Sequence, residues 1–152
     1  MSRMACIPTR DTRPERAIIA AVRRLFDVPL LTQVVGLPGT PDVLIPKHRV
    51  VLLGQGCFWH NHHADHCPIA HVPATQFDWA RKFNNNRQRD ARNRADLITA
   101  GYRVAWVWEC AVVGASAVPE AELDARLAAF VRGRELFMEI EGKALATVAV
   151  AA

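Results

Sequence analysis

The sequence predicts an α/β domain, a central sheet with helices packed against it. Three observations lead there. Residues 12–26 place Ile18, Val22 and Leu25 at helical spacing, with Ile19 and Phe26 on the same face. The runs V-L-I at 43–45 and V-V-L-L at 50–53 are short and apolar, the second reading as a buried central strand. A long polar segment over residues 76–100 then leads into Y-R-V-A-W-V-W at 102–108, rich in aromatic and β-branched residues.

Each element has its own signals. T-R-P-E at 12–15 has the form of a capping box, and Asp27-Val28-Pro29 stops the first helix near Phe26. Residues 30–35 read as a short strand, L-P-G-T-P at 37–41 as a loop, and P-K-H-R at 46–49 as a reversal. Gly101 is placed to cap the long helix. Pro119 opens a closing helix with Leu123, Leu127 and Phe130 on one face.

At 152 residues and 51% hydrophobic, the chain is expected to be one domain with its own core. An N-terminal arm over 1–11 and an Ala/Val-rich, poorly ordered tail over 144–152 flank it. No apolar run approaches the ~20 residues of a membrane span. The basic N-terminus lacks the apolar core of a signal peptide, so the expected location is cytoplasmic. A net charge of +4 permits a polyanionic partner.

The densest chemistry lies in G-C-F-W-H-N-H-H-A-D-H-C at 56–67, which holds four of the six histidines and two of the four cysteines. Without a secretion signal, metal ligation is the better default for these thiols than disulfides. Cys57, Cys67 and Cys110 are too widely spaced for a C-x-x-C knuckle, but three thiolates and one imidazole make a closed, structural zinc site. His62 is the first choice for the fourth ligand, with His63 and His66 still open. The bland alternative is three buried free thiols. Cys6 stands outside the cluster as a free thiol.

Asp42 ends the Pro-rich loop and enters a strand, giving Pro41-Asp42. In restriction-type nucleases a Pro-Asp at this place holds Mg²⁺, and an acid-x-Lys follows on the next strand. Here that strand reads V-V-L-L-G-Q-G at 50–56, without acid or lysine. On the long helix, Arg81, Lys82, Arg87, Arg89, Arg92 and Arg94 face a single acid, Asp90. That is either a solvated face or a helix that tracks phosphates.

L-P-G-T-P-D at 37–42, G-C-F-W-H at 56–60, V-P-A-T at 72–75 and V-W-E-C at 107–110 resemble the very-short-patch-repair (Vsr) mismatch endonucleases. T-R-D-T-R-P-E at 9–15 is similar to that family's entry into its first helix. The resemblance implies a restriction-endonuclease-like mixed sheet flanked by helices, with a structural zinc site. It implies a monomeric enzyme that nicks double-stranded DNA 5′ to the thymine of a T·G mismatch, the product of 5-methylcytosine deamination. Mismatch-repair proteins are candidate partners.

By position, the resemblance makes Asp42 the carboxylate ligand of catalytic Mg²⁺ and Gly54 a carbonyl ligand. His60 becomes the catalytic histidine in place of the missing lysine, and Glu15 an assisting acid. Cys57, His62, Cys67 and Cys110 match the structural Zn²⁺ site. Met4, Phe58, Trp59 and Trp79 match residues that wedge into the base stack. On an extended segment, adjacent Phe58 and Trp59 cannot both point inward, so at least one is expected to be exposed. Glu15 has a second explanation as the glutamate of the Thr12 capping box. A zinc-stabilised DNA-binding module of the same fold, with catalysis lost at Gly54 and Gln55, is the competing functional class.

Overall fold

Thr12 starts the first helix, its side-chain oxygen accepting the N–H of Glu15 at 3.4 Å. The capping box is altered in its return bond: Glu15 Oε2 accepts the N–H of Asp11 at 2.8 Å. Pro14 sits in the first turn, where its missing N–H costs nothing, and helix α1 runs Arg13–Leu25. The computed structural model describes residues 11–62, 67 and 77–144. Met4, Cys6, His63, His66, the V-P-A-T motif, and the arm and tail except Asp11 and Ala144 lie outside those residues.

After α1 come strands β1 (Leu31–Thr32), β2 (Val43–Ile45) and β3 (Val50–Gln55), helix α2 (Trp79–Thr99), strand β4 (Arg103–Trp108), helix α3 (Glu120–Arg132) and strand β5 (Phe137–Ile140). The strands form one mixed sheet in the order β1-β2-β3-β4-β5. β1, β2 and β3 pair antiparallel, whereas β3, β4 and β5 run parallel. Parallel neighbours need a crossover, and α2 and α3 supply the two.

Strand alternation divides the core between the two faces. Val43, Ile45, Val50, Leu52, Ala105 and Val107 meet Ile18 and Val22 of α1 and Leu127 and Phe130 of α3. Leu44, Val51 and Val104 point the other way, against Leu97 of α2. The result is three layers, with α1 and α3 on one side and α2 on the other. Each fully buried aliphatic chain contributes about 1.5–3 kcal/mol.

α2 ends as its sequence demands. Gly101 takes φ +92°, its N–H reaches Ile98 O at 3.0 Å, and the Tyr102 N–H reaches Leu97 O at 3.0 Å. The strand expected over 30–35 shortens to two residues because Gln33 adopts φ 49° and breaks the pleat. β5 was not foreseen: it is four residues long, with Glu139 in its middle.

Close approach explains Gly54. A Cβ there would lie 2.7 Å from Pro14 Cβ and 3.1 Å from Glu15 N, where α1 presses on β3. Gly54→Ala should therefore cost about 1–3 kcal/mol, read as a lower urea midpoint at unchanged slope. An unmoved midpoint would show that α1 yields freely.

Candidate active site and metal cluster

The parallel strands end side by side and deliver the first group of functional side chains. Gln55 pairs with Trp108 at the ends of β3 and β4, so Cys57 and Cys110 each lie two residues past a matched pair. The segment after β3 turns back at once: His60 N–H bonds Gly56 O at 3.0 Å, and His62 N–H bonds Cys57 O at 2.9 Å. This turn swings His62 under Cys110. The ligand atoms of Cys57, His62, Cys67 and Cys110 all lie within 4.8 Å of one another.

His62 Nδ1 faces Cys57 Sγ at 3.6 Å and Cys110 Sγ at 3.5 Å. Its Nε2 lies 2.9 Å from Glu141 Oε1, just past β5, and its ring stacks on Trp108 at 4.0 Å. Backbone N–H groups of Cys110 and Gly142 donate to the sulfurs of Cys57 and Cys110, each at 3.3 Å. A carboxylate behind an imidazole and amides behind sulfurs are the usual supports of metal ligands. Three sulfurs and one nitrogen fit a closed tetrahedral metal site.

Proton balance at the cluster is consistent with that donor set. The hydrogen bond with Cys57 pulls the Cys110 thiol down to about 4, against the effect of burial, and the Cys57 thiol is pushed up in return. Burial opposes charge on His62, but hydrogen bonds with Cys110 and Glu141 raise it to about 9. Metal uptake must displace these shared protons, so it weakens in acid.

The second group lines a cleft of about 530 Å³ on the α2 side of the sheet. Asp42, Gly54, Gln55, His60, Asp90 and Trp106 are among its walls. Asp42 Oδ2 accepts the Gly54 N–H at 2.6 Å, which ties the start of β2 to the end of β3. Gln33 bridges two acids, its Nε2 donating to Glu15 Oε1 at 2.7 Å and to Asp42 Oδ1 at 3.2 Å. Desolvation pushes the Asp42 carboxyl up to about 6, and nearby Glu15 adds to the rise, against the bonds from Gly54 and Gln33. Hard oxygen donors with uncompensated negative charge fit a small divalent cation.

His60 reaches the cleft from the same turn, and its Nδ1 lies 2.5 Å from Asp90 Oδ2 on α2. Asn86, one turn earlier, donates to Trp59 O at 2.8 Å. The inward stripe of α2 is therefore apolar at Phe83 and Leu97 and polar between them, where it grips the 56–62 turn.

Phe58 and Trp59 do not lie on an extended segment; the turn places both half-buried in one aromatic group. The Phe58 ring packs edge-on against Trp59 at 5.0 Å, Trp79 at 5.1 Å and Phe83 at 5.2 Å. Phe77, 51% exposed, extends the group outward beside Trp79.

A family model for "DNA mismatch endonuclease Vsr" matches residues 1–66. The DNA mismatch endonuclease Vsr of Escherichia coli (strain K12) is 35% identical over 139 residues, covering 91% of this chain and 86% of that protein. The chain belongs to the Vsr family. The type II nicking enzyme V.XorIIP of Xanthomonas oryzae pv. oryzae is 39% identical over 109 residues, covering 70% of this chain and 76% of its own. V.NmeAIP of Neisseria meningitidis, also named a type II nicking enzyme, is 37% identical over 73 residues, covering 47% of this chain and 50% of its own.

Within this Vsr-family fold, sequence reasoning passed over three polar residues. Asp90 had one available signal, as the single acid in a basic run. Gln33 was the one long polar residue in L-L-T-Q-V-V, and Glu141 carried no signal at all. Among the described residues, no helix is long and apolar enough to cross a membrane.

Removing one thiol tests the cluster. Purified wild type should carry close to one transition-metal ion per chain by atomic emission, and Cys110→Ser should lose it and melt at lower temperature. Equal metal content in the two proteins would remove the cluster from the account.

Proposed function

We propose that this protein is a DNA mismatch endonuclease that nicks one strand 5′ to the thymine of a T·G mismatch. It acts as a Mg²⁺-dependent monomer in the cytoplasm, with zinc held by Cys57, His62, Cys67 and Cys110. The observation that carries catalysis is the cleft shared by Asp42, Gly54 and the His60–Asp90 pair. Family membership supports DNA as substrate. The choice of T·G rests on the motif resemblance.

Asp42 and the Gly54 carbonyl would hold Mg²⁺. When bound, the ion supplies charge neutralisation at the phosphate and a more acidic water. Zinc would act only as a cross-link holding the 56–62 turn.

The residues supply the rest. With Nδ1 turned to Asp90, His60 keeps Nε2 for the attacking water, whose proton it is suited to take. Asp90 fixes its tautomer and ring direction. Glu15, buried and bonded through Gln33, holds the position of Asp42 from outside the cleft and also closes the start of α1. Phe58, Trp59 and Trp79 form a half-buried aromatic surface suited to wedging between bases, with Met4 assigned to the same task. Unstacking a base step costs a few kcal/mol, least at a mismatch, which favours the T·G site.

An end-labelled duplex with one T·G pair should be nicked at a single position with Mg²⁺, and its matched counterpart left whole. Asp42→Ala should abolish the nick and His60→Ala slow it by about 10²–10⁴-fold, both retaining bound metal in the cluster. Asp90→Asn should slow it less. Binding without nicking by the wild type would leave only a DNA-binding module, and an active Asp42→Ala protein would remove the Mg²⁺ assignment.

For the wedge, Trp59→Ala should narrow the ratio of T·G to matched-duplex binding. An unchanged ratio would return Trp59 to a packing role.

A further inference from the structure

The basic residues of α2 do not all face solvent. Arg94 turns inward, half-buried, onto the wall of the cleft that holds Asp42 and His60. Its guanidinium lies 4.4 Å from the centre of the Phe137 ring and 5.0 Å from that of Trp106. Those rings pack edge-to-face at 5.0 Å. The side chain is thus anchored between β4 and β5.

Among the described residues, Arg94 has neither an ion pair nor a hydrogen bond, in contrast to Arg24, which pairs with Asp124, and Arg103, which bonds the last carbonyls of α3. Asp96, two residues on, is exposed and, at that spacing, does not share a helix face with Arg94. Asp90, one turn back, already faces His60 at 2.5 Å and Arg89 at 3.8 Å. Contacts of a guanidinium with ring faces leave its five in-plane N–H donors available. An aromatic-braced arginine with unused donors, on the wall of a cleft shared with Asp42 and His60, is suited to bind a tetrahedral anion.

We propose that Arg94 binds a backbone phosphate of the strand being cut, beside the phosphate that is hydrolysed. This rests on the DNA-cleaving reading above and adds to it a substrate-positioning cation. Arg94 differs from Arg81, Lys82 and Arg92, which are exposed on the same helix, where a charge acts only as general attraction for a polyanion.

The test uses the full chain and T·G duplexes in which single phosphates near the nick are replaced by neutral methylphosphonates. One replacement should weaken wild-type binding roughly tenfold or more, yet leave Arg94→Gln no weaker than it already is. The slope of log K against log salt should fall by about 0.9 in Arg94→Gln and stay unchanged in Arg94→Lys. Arg94→Met, which stacks on rings without charge, repeats the measurement should glutamine perturb the fold, as judged by cluster metal and melting temperature.

Wild type that nicks T·G duplexes while both uncharged variants keep the full salt slope would overturn the proposal and leave the function intact. So would loss of binding confined to one flanking base pair, which marks a base contact instead. Wild type that neither binds nor nicks any duplex defeats the function itself, and this proposal with it.

Discussion

Cys57 and Cys110 meet because β3 and β4 run parallel and in register, and much of the functional architecture depends on that meeting. The pair at Gln55 and Trp108 sets the two strand ends level, so thiols two residues further on face each other. β5 then brings Glu141 behind His62 and the Gly142 N–H onto Cys110. The turn that carries His60 is held at Cys57 on one side and His62 on the other. His60 is thus flanked by two members of the Cys/His cluster and backed by Asp90, which restricts its freedom.

The same turn is gripped from α2. That helix is a poor amphipath by composition, since its inward stripe gives up apolar contact at Asn86, Asp90 and Asn93. Asn86 and Asp90 make polar bonds to Trp59 and His60, and Asn93 lines the cleft. On the far side of the cleft, Gln33 takes a left-handed conformation, uncommon outside glycine, and ties Glu15 to Asp42. Local departures from regular structure therefore gather around one cavity.

Much of this was readable from residue patterns. The capping signals of α1, the glycine after α2 and the two apolar runs before Gly56 led to the correct elements and to an α/β class. The thiols and one imidazole read as candidate ligands from their chemistry, with His62 the first choice, and the structure gathers Cys57, His62, Cys67 and Cys110. What was not legible was register. Nothing in the linear order says that Trp108 lies opposite Gln55, or that Glu141 follows a strand. A run of only four residues, F-M-E-I, is too short to show the alternation that would announce β5. The geometry of the 56–62 turn was also hidden, because Asn61 at φ 46° redirects the chain and lets both Phe58 and Trp59 pack together.

The long crossover between β3 and β4 also governs when the site comes into being. Val50 pairs with Arg103 only after α2 has been threaded across the sheet, and parallel pairings of this range are among the slower steps of folding. Until then Cys57 and Cys110 are far apart, the turn has no anchor and the His60 ring has no fixed direction. A chain still on its way to the native state thus lacks the assembled cleft. The cleft and the thiol cluster therefore share one precondition, the β3–β4 pairing, and neither is complete without it.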